Sequence, residues 1–306
     1  MLIFSGLPDS GPAYTDVWSL SFTNPIKWTQ LSPTGTVSVP YSDLASVYDP
    51  VRQRMLSFFG DEPWALGNLS GTPAWSMIQA AGQVPIDRYG ACTIYDPPHQ
   101  NLIMFGGFTY NNSTSLNDLW KYSLSSNTWT RLLTGGPPSA RDLATAIYDP
   151  SGSRMIVFGG ENNGSFLNDT WQLSLAATPA WTQLSPTGSP PSARYAHTAI
   201  LDAPRNRVVI YGGANGAPAL SDVFALSLAG GTSWSQLSSH RRPRSGALFP
   251  RVRLRQRAES HADLRRKRHH DLGPQLGRES RLDPAQYHGH NESLLHREFR
   301  GLRRSS

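Results

Sequence analysis

Cysteine is nearly absent: Cys92 is the one thiol in 306 residues. That excludes an internal disulfide and any cysteine-built metal cluster. No apolar run reaches 18 residues, which excludes a helix crossing a membrane. The opening MLIFSGLPDSGP has neither a basic start nor a long apolar segment, so it is not a secretory leader. Phosphate-binding loops, a Gly-x-Ser-x-Gly elbow and a paired catalytic histidine and cysteine are all missing. Charged residues make up only 16% of the chain, whereas Gly (27) and Pro (24) are plentiful. Such a composition suits an all-β protein with many turns.

Charge is distributed unevenly. Residues 1–238 carry 11 Lys/Arg against 15 Asp/Glu, and residues 239–306 carry 17 against 7. All nine tryptophans precede residue 239, and seven of the nine histidines follow it. The two stretches call for separate explanations.

The first stretch is repetitive. Trp28, Trp75, Trp129, Trp181 and Trp234 recur at gaps of 47, 54, 52 and 53 residues. Each closes a similar series of segments, for example SARDLATAIYDP, SRMIVFGG, LNDTWQLSL and WTQLSP, then SARYAHTAILDA, NRVVIYGG, LSDVFALSL and WSQLSS. Every unit thus holds four short runs rich in β-branched and aromatic residues, separated by Gly, Pro, Asn and Asp. These are strand and turn signals without helical period. Four antiparallel strands per fifty residues describe a propeller blade. The expected divisions are a partial blade 1–38, blades 39–83, 84–138, 139–191 and 192–238, and a disordered tail 239–306.

The local chemistry agrees. Asp49, Asp96 and Asp149 each precede a proline, and Asp202 precedes Ala203-Pro204. An aspartate that bonds nearby amides, with proline fixing φ, holds a turn from first strand to second. The doublets Gly106-Gly107, Gly159-Gly160 and Gly212-Gly213 end the second strand, where positive φ or a close neighbour excludes a Cβ. Trp18, Trp120, Trp171 and Phe224 sit in the third strand and, with the later Trp series, fill the space between blades.

The doublet, the third-strand aromatic and the Trp opening the fourth strand resemble the kelch-repeat β-propellers, bacterial kelch proteins among them. The resemblance covers about 238 residues and implies a propeller of six or seven blades in intact members. The unit 39–83 departs from it, with Phe59-Gly60 in place of the doublet.

Arg88, Arg141 and Arg194 lie eight residues before Asp96, Asp149 and Asp202, at intervals of 53. A propeller would put them on one face. The resemblance marks that position as partner-binding, and a ring of guanidinium groups could grip carboxylates. Alternatively each arginine caps its own blade. Tyr41 breaks the ring, and Asp87 and Asp142 stand beside two of its members. No cofactor, metal site or catalysis is expected. A copper enzyme of the galactose oxidase type shares kelch blades, but His99 and His197 occupy different places in the repeat. Cys92 reads as a buried structural thiol.

Both ends depart from the repeat. MLIFSG matches RMIVFGG from its methionine onward, as though reading began inside a blade. From Ser239, reading the codons one base later permits PTGAPAPARYFHASVYDNAQNRMLIFGGN, which aligns without a gap to PTGSPPSARYAHTAILDAPRNRVVIYGGA from Pro186. A frameshift near Ser238–Ser239 is therefore expected. The rival reading of RVRLRQRAESHADLRRKRHH is an arm that attracts phosphate electrostatically, without specific nucleic-acid recognition. The functional expectation is a protein- or glycan-binding module, with a non-functional fragment of a broken gene as the alternative. Unpaired blades would favour self-association. Sparse charge, abundant Ser, Thr and Asn, and almost no cysteine resemble extracellular bacterial kelch proteins, which implies an extracellular or envelope location for the intact parent.

Overall fold

The computed structural model describes residues 1–6, 14–35, 37, 45–59, 62–109, 111–216 and 219–237. The chain divides into the units Met1–Ala258 and Glu259–Ser306, and every description below concerns the first. Tyr41, Gly60 and the tail 239–306 lie outside the described residues.

Apart from one 3₁₀ turn at Ala203–Arg205, the regular structure of the described residues is all strand, in a five-blade propeller arrangement. The first blade has three strands, β1 (Leu2–Gly6), β2 (Tyr14–Ser21) and β3 (Lys27–Leu31). The second is the meander β4 (Ala45–Asp49), β5 (Arg54–Phe59), β6 (Glu62–Gly67) and β7 (Ala74–Met77). A short strand β8 (Ala81–Gly82) then leads to the third blade, which begins with β9 (Cys92–Asp96) and β10 (Asn101–Phe105). A small hairpin, β11 (Phe108–Thr109) and β12 (Thr114–Ser115), rises before β13 (Leu119–Ser123) and β14 (Thr128–Leu132) complete it. The fourth blade is β15 (Thr145–Asp149), β16 (Arg154–Asn162), β17 (Ser165–Ser174) and β18 (Trp181–Leu184). After β19 (Thr187–Gly188) comes the fifth, β20 (Thr198–Asp202), β21 (Arg207–Tyr211), β22 (Val223–Ser227) and β23 (Ser233–Leu237).

The first strands β4, β9, β15 and β20 lie side by side in chain order, so they are the innermost strands of successive blades. Their carboxyl ends close on the aspartate turns. Asp49 accepts from the Val51 and Arg52 amides, and Asp149 from the Ser151 amide. An arginine five residues on adds a second clamp: Arg54, Arg154 and Arg207 bond Asp49, Asp149 and Asp202.

Apolar clusters form between consecutive blades. Leu56, Phe58 and Ile78 of the second meet Met104, Trp120 and Trp129 of the third. Ile94, Ile103 and Phe105 of the third meet Val157, Leu173 and Trp181 of the fourth, with Cys92 among them. Ile156 and Phe158 of the fourth meet Ile210, Phe224 and Trp234 of the fifth. Stacked faces of this kind are the main source of stability in such an array.

Two details lie beyond the sequence reading. The fourth-blade doublet does not end its strand: β16 continues through it to Asn162, with a register shift between Phe158 and Gly160. Three linkers, into the second, third and fifth blades, also run along the outer strand of the following blade. β8 pairs in parallel with β14, and β19 with β23. Thr34 bridges Ala74 in the same way. Gly35, Gly82 and Gly188 hold φ of 81°, 85° and 81° there. A Cβ would stand 2.7, 2.3 and 2.3 Å from the carbonyl oxygens of Trp75, Trp129 and Trp234, so only glycine fits.

Candidate functional site

At the other end of the inner strands the three recurrent arginines are buried. Each reaches across to an aspartate two residues before the third-strand aromatic of its own blade. Arg141 Nη1 and Nη2 donate to the two carboxylate oxygens of Asp169, at 2.7 and 2.8 Å. Nη1 also donates to the Gly159 carbonyl, the first residue of the doublet, at 3.0 Å. Nε and Nη2 donate to the carbonyl and hydroxyl of Ser139. Arg194 repeats the set with Asp222, Gly212 and Ser192. Arg88 grips Asp118 bidentately and donates to the carbonyls of Gly106 and Ile86. Arg141 and Arg194 thus direct all five of their donors to groups of their own blade. This geometry is what the capping alternative requires, and a ligand carboxylate would have to displace Asp169 or Asp222.

The acceptor is held in turn. Trp120 and Trp171 donate their indole N–H to Asp118 and Asp169, both at 2.7 Å. Phe224 has no such donor; instead the Arg194 guanidinium lies 5.6 Å from its ring centroid. Burial works against ionisation of Asp118 and Asp169, but the arginine bonds and charge outweigh it and hold both carboxyls below the usual range. For Asp222 the Arg194 bond is itself the largest influence, with the same outcome. The sequence showed these aspartates in LND, LND and LSD at a constant place in the repeat, but their part as arginine acceptors went unread.

The clasps also lie where blades meet. The amides of Gly107 and Gly160 donate to the carbonyls of Arg141 and Arg194 of the following blade, both at 2.9 Å. Leu143 N–H donates to Gly90 O, and Ala196 N–H to Leu143 O, both at 2.8 Å, as rungs around the axis. Between the clasped ends project the loops from second strand to third. In the third blade the β11–β12 hairpin spans this stretch, and in the fourth the turn at Asn163-Gly164. Asn163 Oδ1 accepts from the Ser115 amide, which ties the two loops together. Ser115 Oγ also donates to Asp142 at 2.7 Å.

The histidines are far apart in the repeat. His99 sits on the turn side, bonded to Asp96 at 2.8 Å, beside a groove of about 190 Å³ lined by Ile103, Lys121, Leu132 and Leu175. His197 is buried next to the clasp of the fifth blade, its Nε2 at 2.8 Å from Thr145 Oγ1. Among the described residues no group of three or more His, Cys, Asp or Glu could hold a metal ion. Burial pushes the Cys92 thiol up to about 12.

Burial, with the Arg194 charge adding to it, holds His197 down to about 3. The unfolded chain takes up that proton near the ordinary histidine value of about 6.5. Stability from the neutral ring is therefore complete above that value and is lost as pH falls toward the folded one. Between pH 7.5 and 5.0 the expected loss is about 2 kcal/mol. Urea denaturation at the two pH values checks it, and His197→Gln flattens the difference.

Residues 64–249 match the family model described as the KLHDC2/KLHL20/DRC7 Kelch-repeats domain. The chain is 31% identical over 157 residues to the leucine-zipper-like transcriptional regulator 1 homolog of Drosophila melanogaster, covering 48% of this chain and 15% of that one. It is 36% identical over 97 residues to the Rab9 effector protein with kelch motifs of Danio rerio, covering 31% and 27%. The chain thus spans between about a seventh and a quarter of these relatives. Among solved structures, that of YjhT superimposes with a TM-score of 0.54 over 67% of both chains at 17% identity, a likeness of fold. With the blade order, the glycine doublets and the strand aromatics in place, the chain belongs to the kelch-repeat β-propeller family.

Proposed function

We propose that the blades form a protein-binding module whose contact surface is the clasp side, with the loops from second to third strand as the ligand-touching elements. Kelch propellers are in general protein-interaction modules. The observation that carries the assignment to this side is the clasp itself. The same buried guanidinium holds the base of three successive loops, while the loops it holds differ in sequence and the third-blade loop is two residues longer than the other two. A rigid base carrying variable loops is how a common scaffold gains specificity. Arg88, Arg141 and Arg194 position those loops, and residues between the clasps, such as Asn111, Asn163 and Asn215, meet the partner.

The test is affinity capture with paired variants. Replacing Asn162, Asn163 and Ser165 with alanine leaves the melting transition within a few degrees and abolishes capture. Alanine at Ser125 and Ser126, on the turn side, leaves both unchanged. A partner retained by the loop variant and lost with the turn-side one overturns the assignment. A glycan array run with the same pair separates a carbohydrate partner from a protein.

A further inference from the structure

One face of the fifth blade is built for a neighbour. Ile94, Ile103 and Phe105 of the third blade are buried against the fourth, and Ile156 and Phe158 of the fourth against the fifth. Strand register puts Ile200, Val209 and Tyr211 in the same places on the fifth blade. Ile200 is 63% and Tyr211 49% exposed, where Ile94 and Phe105 are 4% and 0%. The backbone points the same way. The third- and fourth-blade doublets bond the next blade's arginine carbonyl, which stands 2.4 and 2.8 Å from a Cβ built at Gly106 and Gly159. At Gly212 and Gly213 no following-blade carbonyl fills that place among the described residues.

The sequence permits an occupant when its codons are read one base out of register. The arginine, turn aspartate and doublet recur every 53 residues, at 141, 149 and 159, then at 194, 202 and 212. The next set falls at 247, 255 and 265. Read one base later, the codons of Ala247–Leu248 can give arginine, those of Arg255–Gln256 aspartate, and those of Arg265–Arg266–Lys267 two glycines. His261–Ala262 can give methionine and Leu264–Arg265 phenylalanine, matching Val208 and Tyr211. No insertion is needed anywhere in the match.

We propose that the exposed Ile200–Val209–Tyr211 face is the docking surface for a further kelch blade of the same polypeptide, encoded one base out of frame after Ser238. Its arginine carbonyl bonds the Gly213 amide, and the apolar side chains of its second strand cover Ile200 and Tyr211.

The genetic code makes the test sharp. The two glycines require CGG or AGG at both Arg265 and Arg266. The methionine requires CAT at His261, the phenylalanine CTT at Leu264, the aspartate CGA or AGA at Arg255 and the arginine GCG at Ala247. Reading the gene's bases at these six codons decides the encoding: any other codon at Arg265 or Arg266 removes the doublet and overturns the proposal. Docking is read separately, from hydrogen exchange on the full chain and on the product restored by deleting one base at the junction. The expected result is exchange at Ile200 and Tyr211 slowed at least about tenfold in the restored protein. Unchanged exchange in a restored product that melts cooperatively overturns docking. Protection that already exists in the present chain and rises with its concentration assigns the face to a second copy and also overturns it.

Discussion

Arg141→Met is expected to lower the unfolding free energy by about 3 kcal/mol. Removing one partner of a buried ion pair costs about 3–5 kcal/mol, because the other charge is left without its counter-ion. The lower end applies because Asp169 keeps 23% of its side chain in water and can partly rehydrate. Two carbonyls, of Gly159 and Ser139, lose their donor as well. Arg141→Lys restores the charge without the planar fork, and recovers less than half of the loss. The pH dependence gives an independent check. Asp169 is held below the usual carboxylate range, so the stabilisation is complete above that range and disappears as pH falls through the depressed value. Arg141→Met removes this acid-side arm, and denaturation series run from pH 5 down to about pH 2 show it as a flatter slope. If Arg141 were instead a free ligand contact, the same substitution would abolish binding and leave stability within about 0.5 kcal/mol.

Much of this architecture was legible from residue order, because kelch blades are specified locally. Strand runs, the turn aspartates and the doublets each act within a few residues of where they stand. The clasp was half legible. The phase of Arg88, Arg141 and Arg194 against the turn aspartates put them on one face, but their acceptors lie 28 or 30 residues away across a loop. No periodicity encodes that a side chain bridges two strands. The linker glycines were less legible still. Gly82 and Gly188 sit in ordinary turn composition, and what forbids a side chain there is the Trp129 or Trp234 carbonyl of the next blade's outermost strand. Contacts between blades are set by stacking, and stacking is visible only once the blades are assembled.

The same stacking makes one repeat position carry very different energies. Trp129 is 1% exposed, and Phe58, Tyr122 and Trp120 lie at centroid distances of 5.4, 4.9 and 6.4 Å. Truncating such a residue removes its transfer free energy and leaves a cavity between the second and third blades, so Trp129→Ala is expected to cost about 3–5 kcal/mol. Trp28 opens the equivalent strand of the first blade and is 47% exposed. With nearly half its surface open to solvent, Trp28→Ala is expected to cost under about 1 kcal/mol. Trp129→Phe separates ring burial from indole chemistry. The Trp129 Nε1 is buried without an acceptor among the described residues, and a lone buried donor is itself unfavourable by about 1–3 kcal/mol. Phenylalanine gives up some area but also removes that donor, so the two changes largely offset and the expected cost is about 1 kcal/mol. Urea midpoints for the three variants order them as Trp129→Ala far below Trp129→Phe and Trp28→Ala. A cost for Trp28→Ala equal to that of Trp129→Ala would mean that the first blade's outer face is covered in solution, and that stability is shared evenly around the ring.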